Sequence, residues 1–191
     1  MRDPRSVAEL VERLIHGTYD DANSDGLKPA QWSALRYFAN ANRFSKTTSA
    51  FARYQGITAG AASQTIGGLV KQRLLKRTCD TADKRRHHLT LTTKAQRLTE
   101  ADPIGSLVAA ASMLEESQRD ATALGLSNML AHLVRKRGGA IFGFCDDCQY
   151  LRCERRSGRA DSYRCAQAEQ VLTEQELDKI CINFEAAEAS V

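Results

Sequence analysis

The sequence lacks any long hydrophobic run. No stretch of about 18 apolar residues occurs among the 191 residues, so we expect no helix that crosses a membrane. The first ten residues, MRDPRSVAEL, contain no apolar signal core either. We therefore expect a cytoplasmic protein. Hydrophobic residues make up 42% of the chain, which is enough for a packed core.

Motifs for catalysis are missing as well. The four histidines belong to no HExxH motif and lie beside no nucleophile pattern: His16, His87, His88 and His132. No GxGxxG motif and no P-loop occurs. An enzyme is the main alternative class, but the sequence offers no catalytic residues for one. We expect a protein that is not an enzyme.

Positive charge is modest overall but unevenly placed. The chain carries a net charge of +4, whereas seven basic and two acidic residues lie between Lys71 and His88 alone. Such a local patch is typical of a surface that binds a polyanion. A solvated charged face would have the same composition, so charge alone does not decide between them.

Apolar spacing predicts a mainly α-helical protein. Stripes with helical periodicity occur at residues 7–15 and again from Pro29, where proline suits a first helical turn. A short helix is predicted from Thr47 to Tyr54, and a turn at Gly56 leads into another helix from Thr58 to about Arg73.

A β-hairpin with a basic tip is predicted next, between Leu74 and Thr92. More helices follow it, with a kink or restart at Pro103 and a last long helix over residues 115–137. A turn-linked helix pair followed by a basic hairpin is the plan of a winged helix-turn-helix. In that plan the second helix of the pair enters the major groove of DNA.

Three short motifs carry a family resemblance. The sequence LVKQRLL spans residues 69–75, DTADKRR spans 80–86, and Leu-Thr follows at 91–92. They resemble the recognition-helix ending, the Asp-x-x-Asp-x-Arg wing and the wing exit of the MarR family (multiple antibiotic resistance regulators). The resemblance covers about residues 5–138. Arg73 stands where that family usually has glycine, and Ala95 replaces another common glycine.

This resemblance implies a transcriptional regulator that binds double-stranded DNA, with repression as the first expectation. Ser63, Gln64 and Thr65 would face the major groove, with Thr58 and Gly60 near phosphates. Arg85 would enter the minor groove, and Asp83 would orient the wing arginines. The predicted DNA-binding residues are Thr58, Gly60, Ser63, Gln64, Thr65, Lys71, Lys84, Arg85 and Arg86.

The resemblance also implies a homodimer on a pseudo-palindromic operator, joined by its first and last helices. The predicted domains are a dimerisation helix (1–25), the winged helix-turn-helix (26–98), further dimerisation helices (99–138) and a cysteine-rich appendage (139–191). A winged helix that binds a protein partner instead of DNA is an alternative interpretation.

Five of the six cysteines lie in the appendage, spaced C-x2-C-x4-C-x11-C-x15-C. Clustered cysteines in a reducing compartment favour metal binding over disulfides. The predicted ligands are Cys145, Cys148, Cys165 and Cys181. Cys181 is expected on a helix that starts at a Thr173-x-x-Glu176 capping box and continues through Ile180 and Phe184. The spare cysteines are Cys153, expected in a solvated loop, and Cys79, expected to be buried.

The identity of the metal is left open by the spacing. One close pair and two separated cysteines favour an iron–sulfur cluster, [4Fe–4S] first, because zinc sites often use two close pairs. Zinc with a structural role is the alternative, and a thiol redox switch is a third. A cluster would make the protein a sensor of redox or iron status, if its assembly changes DNA affinity.

Overall fold

The structure, a computed structural model, describes residues 3–19, 26–79, 87–136, 141–154 and 161–187. Most of the described chain is helical, with two small antiparallel sheets. The elements are α1 (Pro4–Tyr19), α2 (Pro29–Asn40), α3 (Thr48–Gln55), α4 (Ala59–Lys71), β1 (Leu75–Cys79), β2 (His87–Leu91), α5 (Thr93–Thr99), α6 (Ile104–Ser112), α7 (Glu116–Lys136), β3 (Leu151–Glu154), β4 (Ser162–Cys165), β5 (Gln170–Leu172) and α8 (Glu174–Leu177).

Threonine caps fix where three of the helices begin. The hydroxyl of Thr47 accepts from the backbone N–H of Ala50 at the start of α3, and Thr58 does the same for α4 at 3.2 Å. Thr92 caps α5 in the same way. Each cap satisfies a backbone donor that has no partner inside the helix, so these starts follow from the sequence.

The main hydrophobic core lies between α2, α3, α4 and the β1–β2 hairpin. Trp32, Tyr37, Phe38 and Phe51 are almost completely buried there, and the ring centroids of Phe38 and Phe51 are 5.7 Å apart. The large aliphatic members of this core come from α2, α4 and the two strands: Leu35, Ile66, Leu69, Leu75 and Leu89. The predicted mainly α fold with a β-hairpin wing is therefore confirmed.

The hairpin pairs Leu75 with Leu91 and Cys79 with His87. Leu89 N–H donates to the carbonyl of Lys46 at 2.8 Å, which ties the hairpin to the chain before α3. The prediction that Cys79 is buried was wrong, because only the first residue of β1 faces the core. The hairpin tip, residues 80–86, lies outside the described residues.

The helices that flank this core are α1, α6 and α7. Pro103 separates α5 from α6, so it restarts the helix as one of the two predicted outcomes. Arg36 on α2 contacts two of the neighbouring segments. It forms an ion pair at 2.7 Å with Asp102, which precedes α6, and it donates a hydrogen bond to the hydroxyl of Tyr19 at the end of α1. No helix within the described ranges is long and apolar enough to cross a bilayer.

The described residues 141–187, here called the cysteine unit, form a small sheet of order β3-β4-β5 beside α8. The sequence did not predict this sheet. The capping box at Thr173 and Glu176 is present, but α8 ends at Leu177. The predicted continuation of that helix was wrong, because Ile180 instead pairs with Ala41 in a parallel bridge. Cys181 is therefore in extended chain and not on a helix.

Candidate DNA-binding surface and cysteine cluster

The helix pair α3 and α4 is joined by a tight turn at Gly56. Its φ of 63° is left-handed, which glycine adopts without strain. Its N–H donates to Arg53 O, and the N–H of Ile57 donates to Ala52 O at 3.0 Å. This turn sets α4 across α3, and α4 then buries Ala62, Ile66 and Leu69. The core thus determines which side of α4 faces outward.

The outward side of α4 carries most of the predicted DNA-binding residues on that helix. Gly60, Gln64 and Lys71 are exposed and share one face by their helical spacing, opposite the core side chains. Ser63 is also exposed and lies at the flank of this face. Thr65 is less exposed than these residues, being half-buried, and its hydroxyl donates to Ala61 O at 3.1 Å. Thr58 is exposed, and its hydroxyl caps α4.

The predicted wing residues Lys84, Arg85 and Arg86 lie outside the described residues, as do Asp80 and Asp83. The strands that lead to them are described. Lys76 and Arg77 in β1 are exposed, as is His87 at the start of β2. Lys76 and Arg77 therefore add positive charge next to α4. The hairpin follows α4 in the chain, as the sequence predicts.

The four predicted cysteine ligands converge. Cys145, Cys148, Cys165 and Cys181 line one cavity of about 10 Å³, together with Asn42 and Asn183 and the apolar side chains of Phe44, Tyr150, Leu151 and Leu172. Cys145, Cys165 and Cys181 are buried and Cys148 is half-buried. Cys153 is exposed and is not part of the lining. Its predicted place in a loop was wrong, because it lies in β3 and pairs there with Tyr163.

Each cysteine in the cavity is placed by a different local structure. Cys145 begins a single 3-10 turn, and the N–H of Cys148 donates to the carbonyl of Cys145 at 3.0 Å. Cys165 ends β4, where it pairs with Leu151 and Gln170. The N–H of Cys181 donates to the carbonyl of Gly143 at 3.0 Å. Residues far apart in sequence thus meet at one point.

The surroundings of Cys145 disfavour its thiolate form. Burial, followed by the neighbouring thiols Cys181, Cys148 and Cys165, raises the pKa of Cys145 to about 12. These four cysteines are thiols and form no disulfide with one another. Within the described ranges, no group of three or more His, Cys, Asp or Glu side chains is arranged to hold a metal ion. The thiols surround a space without closing a ligand shell around it.

The cavity between the four cysteines is small. A cavity of about 10 Å³ offers room for about one water-sized centre. Four cysteines are the donor types of a four-thiolate zinc site, but their sulfurs would have to move closer together to bind one ion.

The cysteine unit lies directly against the helix-turn-helix. Ile180 N–H donates to Asn40 O at 2.7 Å, and the N–H of Asn42 donates back to Ile180 O at 3.0 Å. Arg43 forms an ion pair with Glu176, with a Nε–Oε1 distance of 3.4 Å. These contacts join the unit to residues 41–47, which connect α2 to α3 and are called here the α2–α3 loop.

Asn42 is a site residue that the sequence reasoning missed. It lies in the α2–α3 loop, more than a hundred positions before the first cysteine of the cavity, yet it lines the cavity with them. Its sequence context, a polar run after a helix, indicates only a turn. The sequence holds no signal that would have paired Asn42 with Cys181.

The arrangement from α2 to β2 is a winged helix-turn-helix domain. Residues 25–86 match the model of the MarR family. Sequence comparison with curated proteins gives no significant match. Because the family model covers only this part of the chain, the match concerns the helix-turn-helix and the wing and does not extend to the cysteine unit.

Solved structures of similar fold also contain a counterpart of the winged helix-turn-helix but not of the whole chain. Staphylococcus aureus MepR in its DNA-binding conformation is 20% identical with a TM-score of 0.59, over 70% of this chain and 99% of MepR. The MepR–DNA complex is 20% identical with a TM-score of 0.56, over 69% and 99%. The transcriptional regulator PA3341 is 25% identical with a TM-score of 0.56, over 68% and 96%. These proteins are matched over almost their whole length, whereas nearly a third of this chain has no counterpart in them.

Proposed function

We propose that the protein is a MarR-type transcriptional regulator that binds double-stranded DNA through α4 and the wing. The observation that carries this proposal is the exposed face of α4, where small and polar side chains point away from the core. Small residues allow a helix to approach the floor of the major groove closely. A MepR of the same fold is described in complex with DNA, which supports the assignment. Repression is the expected direction of regulation.

Two copies would be needed to read a pseudo-palindromic operator. The flanking helices expose large apolar side chains, including Leu124 at 65%, Leu130 at 62% and Leu133 at 50% on α7. Ile15 on α1 is 55% exposed. Burial of several large apolar side chains on the same helices is favourable. We therefore propose that α1 and α7 form the interface of a homodimer.

Gln64 gives the sharpest test of the DNA-binding surface. Gln64→Ala should weaken binding to the specific site about tenfold, because an amide on the recognition helix can read a base edge by two hydrogen bonds. Gln96→Ala on α5 is the matched control, since Gln96 is also exposed. Fluorescence anisotropy with promoter DNA from next to the protein's own gene measures both. Equal affinities for the two variants would contradict the assignment of α4.

We further propose that Cys145, Cys148, Cys165 and Cys181 hold a metal centre. Their convergence on one cavity supports this, since the four side chains come from separate parts of the cysteine unit. The cavity of about 10 Å³ favours a single zinc ion. The spacing of the cysteines favours an iron–sulfur cluster instead, with [4Fe–4S] first. In either case a bound metal stabilises thiolates that are costly in a buried site.

Metal analysis of anaerobically purified protein separates these cases. About one zinc per chain and no visible colour would establish the zinc site. Broad absorption near about 400 nm that dithionite bleaches would establish a cluster. Absence of any metal would contradict the proposal and leave a thiol redox switch as the interpretation of the four cysteines.

Regulation would follow if metal binding changes DNA affinity. The cysteine unit contacts the α2–α3 loop, which leads directly into the helix-turn-helix. Loading or loss of the metal, by redox change or by metal supply, would therefore act on the DNA-binding helices. Equal promoter affinity of the metal-loaded and metal-free protein would refute sensing while leaving DNA binding intact.

A further inference from the structure

Asn42 occupies a position between the thiol cavity and the helix-turn-helix. We propose that Asn42 is a positioning residue whose side-chain amide donates a hydrogen bond to the Cys181 thiolate when the cysteines bind metal. Metal binding is thereby linked to the α2–α3 loop. This inference rests on the metal site proposed above and adds a residue to it from outside the cysteine unit.

The orientation of the Asn42 amide is set by its oxygen. Oδ1 accepts from the backbone N–H groups of Phe44 and Ser45, both at 3.1 Å, and from the Ser45 hydroxyl at 2.8 Å. Backbone N–H groups can only donate, so the oxygen must face the loop. The nitrogen Nδ2 is then left to face the cavity that Asn42 lines.

Nδ2 is a buried donor that completes no hydrogen bond with any residue the structure describes. Asn42 as a whole is only 2% exposed, so bulk solvent does not reach this donor. Buried polar groups without partners are rare and call for an explanation. An acceptor that appears only in the metal-bound state would provide one.

The sulfur of Cys181 is placed to become that acceptor. The backbone N–H of Asn42 donates to the carbonyl of Ile180 at 3.0 Å, so Asn42 lies beside the residue that precedes Cys181. The side chains of Asn42 and Cys181 also line the same cavity. A neutral thiol is a weak acceptor, whereas a thiolate is a strong one. The amide is therefore already in place for the charged sulfur that metal binding creates.

Asn42 also connects this sulfur to the helices. Ser45, which donates to Asn42, accepts through its hydroxyl from the N–H of Ile182 at 2.8 Å. Its carbonyl accepts from the hydroxyl of Tyr37 on α2 and from the N–H of Thr47, both at 2.8 Å. Thr47 is the cap of α3. A shift at Cys181 thus reaches the first helix of the pair through three residues of one loop.

The test uses the full-length protein loaded with Co²⁺, whose sulfur-to-metal charge-transfer band reports directly on the ligating sulfurs. Asn42→Ser keeps a side-chain oxygen for the turn but removes the amide donor, and Asn42→Ala removes both. Ser45→Ala is the matched control, because it disturbs the same network and leaves the donor in place. Loss of an outer partner of a metal ligand typically lowers affinity about 10- to 100-fold.

We expect both Asn42 variants to shift the band to longer wavelength and to weaken Co²⁺ binding about 10- to 100-fold. Ser45→Ala should keep the wild-type wavelength. A wild-type wavelength in the Asn42 variants, or an equal shift in Ser45→Ala, would overturn the role of Asn42 and leave the metal site standing. A wild-type protein without any such band would overturn the metal site and this inference together, while DNA binding would still be tested independently.

Discussion

At the scale of single residues, Arg73 shows how α4 ends. Its φ is 58°, in the left-handed region that glycine prefers. Leu74 N–H donates back to Leu69 O at 2.9 Å and Arg73 N–H donates to Val70 O at 3.0 Å, which is the Schellman pattern of helix termination. This geometry gives a physical reason for the glycine that MarR-type sequences usually carry at this position.

Arg73→Gly should therefore stabilise the domain by about 1 kcal/mol, because glycine relieves the steric cost of a left-handed backbone. Urea unfolding followed by circular dichroism measures the free energy of unfolding. Gln72→Gly is the control, since Gln72 has a φ of −79° and gains nothing from glycine. Similar effects of the two substitutions would show that the left-handed conformation is not strained.

Residue identity also explains which parts of the site were predictable. The four cysteines were found from their spacing and chemistry alone, and the structure brings those same four around one cavity. Asn42 could not be found in that way, because its role depends on a contact between distant segments. Cys79 was expected to be buried, but β1 leaves the core after Leu75 and its other four residues are exposed.

At the scale of elements, the helix-turn-helix follows from local signals. Threonine caps, Gly56 and a periodic apolar stripe all agree, so the predicted starts of α2, α3 and α4 lie within one residue of the observed ones. In the cysteine unit, local sequence signals do not predict the observed strands. Its strands have only three or four residues, which is too short for a periodic pattern. The capping box at Thr173 is real, but pairing of Ile180 with Ala41 takes the chain out of the helix.

Gly143 helps to hold the segment that carries Cys181 in the cysteine unit. A Cβ atom at Gly143 would lie 2.6 Å from Cε2 and Cζ of Phe184. The carbonyl of Gly143 also accepts from the N–H of Cys181. A side chain at this position would therefore displace the Phe184 ring and loosen the segment that carries Cys181.

We expect Gly143→Ala to expose the buried thiols of the metal-free protein, so that they react faster with a disulfide reagent. The rate of thiol modification, followed by absorbance, measures this. Gly105→Ala on α6 is the control, because a Cβ atom there meets no other atom within 4 Å. Unchanged rates in Gly143→Ala would show that Phe184 does not hold the unit in place.

At the scale of the whole molecule, the surface beside the cysteine unit differs from the surface formed by α1 and α7. The cysteine unit contacts the α2–α3 loop and also packs against α3, where the rings of Phe142 and Tyr54 have a centroid distance of 5.2 Å. Ile182 packs against the main core. The apolar side chains of α1 and α7 are left uncovered. A dimer through these helices would set the spacing of two α4 helices, and the cysteine unit would act on each helix pair from its own side.

The measurement that tests the central claim most directly is promoter binding as a function of salt concentration. We predict that the wild-type protein binds promoter DNA more tightly than unrelated DNA, and that its affinity falls linearly on a logarithmic salt scale. Arg85→Ala should weaken binding to both DNAs and reduce the salt slope by about 1. Absence of any preference for the promoter, or an Arg85→Ala protein with unchanged affinity and slope, would contradict the account.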